Sequence, residues 1–182
     1  MTGFRLRASG FGIALIVLVM AASASAEIID RIAAVVGGQI ISKSDVDAAA
    51  AFGLASNLQE LIDRTLMLKE VRRVAPPDPA AAALDARVAL IRAKFSTLEA
   101  FARALALGGL DEEAVRAFAA DDLRLMAYLD ERFTSASLPT DEEVRQAGES
   151  SRARLTAERR QTLVNAWIAE LRRRTEITVL LQ

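Results

Sequence analysis

Apolar positions in this chain follow two different periods. Ile28 to Val36 is rich in Ile and Val, is closed by Gly37-Gly38 and is resumed by Gln39-Ile40-Ile41. This is the pattern of a short strand, a two-glycine turn and a return strand. Ser42, with Asp45 three positions on, offers a hydroxyl acceptor and a negative charge to a first helical turn. It predicts a helix to about Phe52, ended by Gly53. Asn57 is the expected cap of the next helix, where Leu58, Leu61, Ile62, Leu66, Leu68 and Val71 recur at helical spacing. Glu60 and Arg64 are expected to pair across one turn of its polar side, and Pro76, Pro77 and Pro79 stop it.

Beyond the prolines the helical period continues. Leu84, Val88 and Ile91 form one stripe within the alanine-rich stretch 80–94. Ser96 and Glu99 read as a capping box for a helix carrying Leu98, Phe101, Leu105 and Leu107, ended by Gly108-Gly109. Asp111-Glu112-Glu113 opens a longer helix with Val115, Phe118, Leu125, Leu129 and Phe133, widened by Leu123 and Met126, which predicts burial on more than one side. Thr140 and Glu143 form a second capping box that starts one long terminal helix, polar through Arg160 with Gly148 inside it, then apolar at Leu163, Val164, Trp167, Ile168 and Leu171. Trp167 reads as a core anchor. Arg172-Arg173-Arg174 sits where a helix C-terminus favours positive charge, and Ile177, Val179 and Leu181 alternate as a closing strand. An isolated hairpin and an isolated strand are each marginal, so the expected fold is mainly α, with a small sheet pairing the N-terminal hairpin with the C-terminal strand.

The first residues carry a different signal. Arg5 and Arg7 precede an apolar run from Phe11 to Ala22 and then Ala24-Ser25-Ala26, the three parts of a cleavable secretory signal peptide. The expected organisation is a signal peptide over 1–26, cleaved between Ala26 and Glu27, and one domain over 27–182, with 141–182 packing back on it. The run is shorter than the about 20 apolar residues of a spanning helix, so no stable membrane anchor is expected after cleavage. Setting aside Arg5 and Arg7 leaves 21 basic against 24 acidic side chains, a net charge of about minus 3. That balance gives no footprint for nucleic acid.

The chain has neither His nor Cys. Imidazole bases, thiol nucleophiles, disulfides, lipid attachment at a lipobox cysteine and most transition-metal sites are excluded with them. No catalytic residue, metal or cofactor is expected. The carboxylates Asp111, Glu112, Glu113, Asp121 and Asp122 are assigned to helix first turns or solvated faces. Residues 37–44, GGQIISKS, approximate a phosphate-binding loop but place Ser42 where the second glycine is required, and read as a turn and a helix cap.

The segments EIIDRIAAVVGGQIISKSDVD (27–47), LQELIDRTLMLKEVRR (58–73), DDLRLMAYLDERF (121–133), LPTDEEV (138–144) and WIAELRRR running into EITVL resemble the N-terminal domain of SurA-like periplasmic chaperones, with its returning C-terminal helix and strand. The resemblance implies a helical chaperone module of the kind also found in the trigger factor C-domain, acting in the periplasm. Relatives insert parvulin prolyl-isomerase domains after the Thr-Asp-Glu-Glu-Val element. Here about a dozen polar residues follow Val144, too few for a domain, so the isomerase is expected to be absent.

The expected activity is that of an ATP-independent holdase for unfolded exported polypeptides, outer-membrane proteins in particular, by a monomer or a domain-swapped dimer. Phe95, Leu98, Phe101, Leu105 and Leu107 are the candidate lining of its peptide-binding groove, although an apolar helical stripe serves equally as core. The alternative is an adaptor docking to one dedicated envelope protein.

Overall fold

The computed structural model describes residues 30–181; the expected signal peptide and its cleavage point at Ala26 and Glu27 lie outside them. Strands β1 (Ile32–Val36) and β2 (Gln39–Ser42) form the hairpin. Gly37 and Gly38 have φ of 54° and 84°, the left-handed pair that lets a two-residue turn follow the twist of its strands. A register slip between Ile32 and Ala34 makes room for an extra residue in β1. Strand β3 (Ile177–Val179) lies antiparallel on the other side of β1, giving the order β2-β1-β3. The sheet thus joins both ends of the described chain, as the pattern predicted.

Helix α1 (Lys43–Phe52) starts on the Ser42/Asp45 capping box and ends at Gly53, φ 65°. Asn57 caps α2 (Leu58–Val74), which ends with Ala75 in the left-handed region at φ 50° just before the prolines. Helices α3 (Ala81–Arg92), α4 (Leu98–Leu107), α5 (Glu112–Ser137), α6 (Asp141–Ala147) and α7 (Arg152–Arg174) follow. Among the described residues no helix is long and apolar enough to cross a membrane.

Four local expectations are corrected. Thr97, not Ser96, caps α4, its hydroxyl accepting from the Ala100 amide at 3.1 Å. The long terminal helix is two helices: Gly148, at φ 85° and ψ 144°, breaks the ladder and a short 3₁₀ turn at Glu149–Ser151 restarts it. Glu60 does not pair with Arg64; it accepts from the Ser56 amide at 2.8 Å, while Arg64 turns inward to Asp122. Met126 stands exposed rather than widening the buried stripe of α5.

The arginines 172–174 also do more than cap α7. Arg172 reaches Asp63 at 2.5 Å and Arg174 reaches Glu70 at 2.8 Å, both on α2, and Arg173 pairs with Glu170. Hydrogen bonding from Arg73, with the charge of Arg174 beside it, holds Glu70 below the usual carboxylate range.

Two separate cores result, joined by the 26 residues of α5. One packs the sheet, α2, α7 and the second half of α5 around Ile62, Leu66, Leu171 and Trp167. Trp167 lies 5.5 Å from the Tyr128 ring and 5.8 Å from that of Phe133, the core anchor its stripe predicted. Arg132 covers all three rings within 5.9 Å. The other core packs α1, α3, α4 and the first half of α5 around Phe52, Ile91, Phe101, Val115 and Ala119.

Candidate functional site

The five candidate lining residues separate. Phe101 is buried, and half-buried Phe95 and Leu105 pack beside it in the second core. The Phe52, Phe95 and Phe101 rings interlock, with centroids 5.4 to 6.2 Å apart. Leu98 and Leu107, by contrast, are 77% and 81% exposed at the two ends of α4. The five therefore do not converge on one groove: three hold α4 to α1 and α3, and two face solvent.

A concave feature lies instead at the junction of the two cores. It is a cavity of about 280 Å³ walled by α1, α2, α5 and β2. Helix α2 contributes Leu61, Arg64, Thr65, Leu68 and Arg72, positions on one helical face. Ala48 and Ala49 of α1 oppose them, and their small side chains leave the space open; Leu54, Leu110 and Phe118 complete the apolar wall. Four of these lining leucines are half-buried: Leu61 and Leu68 pack partly against the first core, and Leu54 and Leu110 partly against the second. Gln39, Ile40 and Ile41 of β2 border the mouth, and Ile40 is 57% exposed.

One side of this cavity is ionic. Asp122, assigned above to a solvated helix face, is buried: Arg64 meets one of its oxygens at 2.5 Å and Arg87 pairs with the other. Its neighbour Asp121 accepts from Arg72 at 2.7 Å and from Arg124 at 3.3 Å, and Arg124 continues to Asp78 at 2.6 Å. The physical reason for the correction is the tie between α2, α3 and α5: a helix flanked on two sides turns consecutive residues toward different neighbours, and each carboxylate finds guanidinium groups there. In this network the Asp78 hydrogen bond, above all, raises the affinity of Arg124 for its proton. Asp111, Glu112 and Glu113 do stand at the start of α5, with Asp111 as its cap.

Residues 37–44 form the hairpin turn, β2 and the cap of α1. Among the described residues no group of three or more carboxylates could hold a metal ion. The cavity combines apolar walls, an ionic side formed by Arg64, Arg72, Asp45 and Asp121, and an edge strand at the rim.

No family model and no curated protein matches this chain. Sequence reasoning missed Arg64, Arg72 and the cavity they line. The available signals were the two arginines interrupting the stripe of α2 at Leu61-x-x-Arg64 and Leu68-x-x-x-Arg72, and the run of alanines at 48–51, of which Ala48 and Ala49 face them. Neither pattern alone distinguishes an inward arginine from a solvated one.

Proposed function

We propose that this chain is an ATP-independent holdase chaperone that binds unfolded exported polypeptides in the periplasm, without prolyl-isomerase activity, as a SurA-like helical module. The observation that carries the reading is the cavity between the two cores, which sets half-buried leucines beside the edge of β2 that is unpaired among the described residues. An unfolded chain differs from a folded one in offering both unsatisfied main-chain groups and exposed apolar side chains, and this rim meets both needs. Its volume lies just below the roughly 300–1,000 Å³ of ordinary small-molecule clefts, room for one or two side chains. That scale suits short-lived capture of many sequences. Exposed Leu98 and Leu107 extend the apolar surface available to a client.

The test is light scattering from a urea-unfolded outer-membrane barrel protein diluted into buffer with rising amounts of residues 27–182. The holdase reading expects scattering to fall as the ratio approaches stoichiometric, because capture competes with self-association. Unchanged scattering, from protein shown by circular dichroism to be folded, rejects it and favours an adaptor with one dedicated partner.

A further inference from the structure

The main-chain register shows which groups of β2 are unused. Gly37 donates to the Glu176 carbonyl at 2.8 Å, and the Ala33 carbonyl accepts from Leu180 at 2.9 Å. Odd-numbered residues of β1 therefore turn their main-chain groups toward β3, and even-numbered residues turn theirs toward β2. Val36 and Ala34 stand opposite Gln39 and Ile41, so these pairs close the hairpin ladder. The N–H and C=O of Ile40 face away from β1, on a strand that among the described residues has no neighbour on that side. At the next outward position the Ser42 amide is already spent on Asp45, at 2.8 Å. The open edge thus runs only from Ile40 toward the hairpin turn.

The charge at that end is positive. Lys69 donates to the Gly37 carbonyl at 3.0 Å, which brings the following turn of α2, with Arg72, alongside the hairpin turn. In the ionic network, Arg64, Arg72, Arg87 and Arg124 share three carboxylates, those of Asp78, Asp121 and Asp122. One positive charge is left over in that network; the other acidic group lining the cavity, Asp45, stands at the opposite end of β2, where it accepts from the Ser42 amide. Arg72 spends one nitrogen on Asp121 and is 58% exposed in its side chain, so its remaining donors are open to a ligand at the cavity mouth.

The geometry points to a binding mode for the polypeptide client, resting on the holdase reading: the last residues of an unfolded chain add antiparallel to the edge of β2. The client's main chain pairs with the N–H and C=O of Ile40. A large apolar side chain enters the space between Leu61, Leu68 and Phe118, and the terminal carboxylate meets Arg72. Polarity of the strand agrees with this. A segment antiparallel to β2 runs toward Gln39, so its carboxyl end arrives at the turn, where Arg72 stands. An acidic group with guanidinium donors and a short main-chain ladder is a recurrent way to recognise a chain end.

Fluorescence anisotropy with a labelled octapeptide of alternating valine and threonine, ending in leucine, tests it against full-length residues 27–182. The peptide is used as the free acid, as the C-terminal amide, and as the free acid N-methylated at alternate residues. The free acid is expected to bind at least about tenfold more tightly than either of the others, the scale of one charge-assisted contact. Arg72→Gln is expected to remove the acid-over-amide preference by lowering free-acid affinity to that of the amide. Ile40→Pro, which removes an outward N–H on an edge strand together with the Ile40 side chain at the mouth, is expected to weaken binding at least as much as N-methylation; should it fail to fold, the methylated peptide carries the same question. Equal affinity for acid and amide, or a preference that survives Arg72→Gln, overturns the binding mode. Scattering of the unfolded barrel protein, measured on the same samples, separates the two readings: suppression with equal acid and amide affinity leaves the holdase standing and removes the chain-end mode alone.

Discussion

The guanidinium of Arg64 meets the carboxylate of Asp122 at 2.5 Å in the contact between α2 and α5, with 12% and 9% of the two side chains exposed. Asp122 also takes Arg87 of α3, so one carboxylate ties three helices. Removing it strands two arginines, one of them inside the molecule. Asp122→Ala is expected to lower unfolding free energy by about 3–5 kcal/mol, read as a fall in the urea midpoint. Asp130→Ala, whose carboxylate pairs with Arg160 on the surface at 2.5 Å with 62% of its side chain exposed, is expected to cost at most about 1 kcal/mol.

Trp167 is the single tryptophan of the chain and sits among Tyr128, Phe133 and Arg132. Its fluorescence therefore reports the first core alone. Trp167→Ala is expected to cost about 3–5 kcal/mol. In the wild type, emission should shift to the red together with the loss of helical circular dichroism if the two cores unfold as one unit. An earlier loss of dichroism would show that the α3–α4 core melts first.

Gly148 holds a conformation that side-chain-bearing residues rarely adopt, φ 85° and ψ 144°, with open space where a Cβ would stand. Gly148→Ala therefore changes backbone energy and not packing. A loss of about 1–3 kcal/mol is expected. Any compensating straightening of α6 into α7 would appear as added helical dichroism.

Glu70 provides a pH dependence. The hydrogen bond from Arg73, helped by Arg174, lowers its native pKa below the ordinary value of 4.5. Between those two values the unfolded chain binds more protons than the native one, so stability rises with pH there. Its contribution is present in full above pH 4.5 and is lost as the pH falls through the native value. Urea midpoints measured from pH 6 down to about pH 3 are expected to fall less steeply for Glu70→Gln than for the wild type.

The period of apolar residues made most of this architecture legible. Strand, turn and strand at 32–42 follow from β-branched residues around two glycines, and Ser42, Asn57, Asp111 and Thr140 cap the helices that begin after them. The break at Gly148 was not legible, because a single glycine inside a helical pattern is often tolerated and only its backbone angles reveal a stop. The candidate site was least legible. Phe101 and Leu98 share one stripe of α4, yet the first is buried and the second is exposed, since a stripe says which face is apolar and not where the neighbouring helices end. Arg64 and Asp122 were hidden for a related reason: charged residues are assigned to water unless a partner far along the chain is known to face them.

The central strand β1 has one neighbour adjacent in sequence and another at the far end of the described chain. The first can pair through a two-residue turn, whereas the second has to be brought back across nearly the whole described chain, a long and slow loop closure. Until that closure, one side of β1 lacks its partner and the hairpin alone is marginal. The molecule is thus exposed to the hazard that its proposed activity guards other proteins against, and β3 is the segment that ends the exposure.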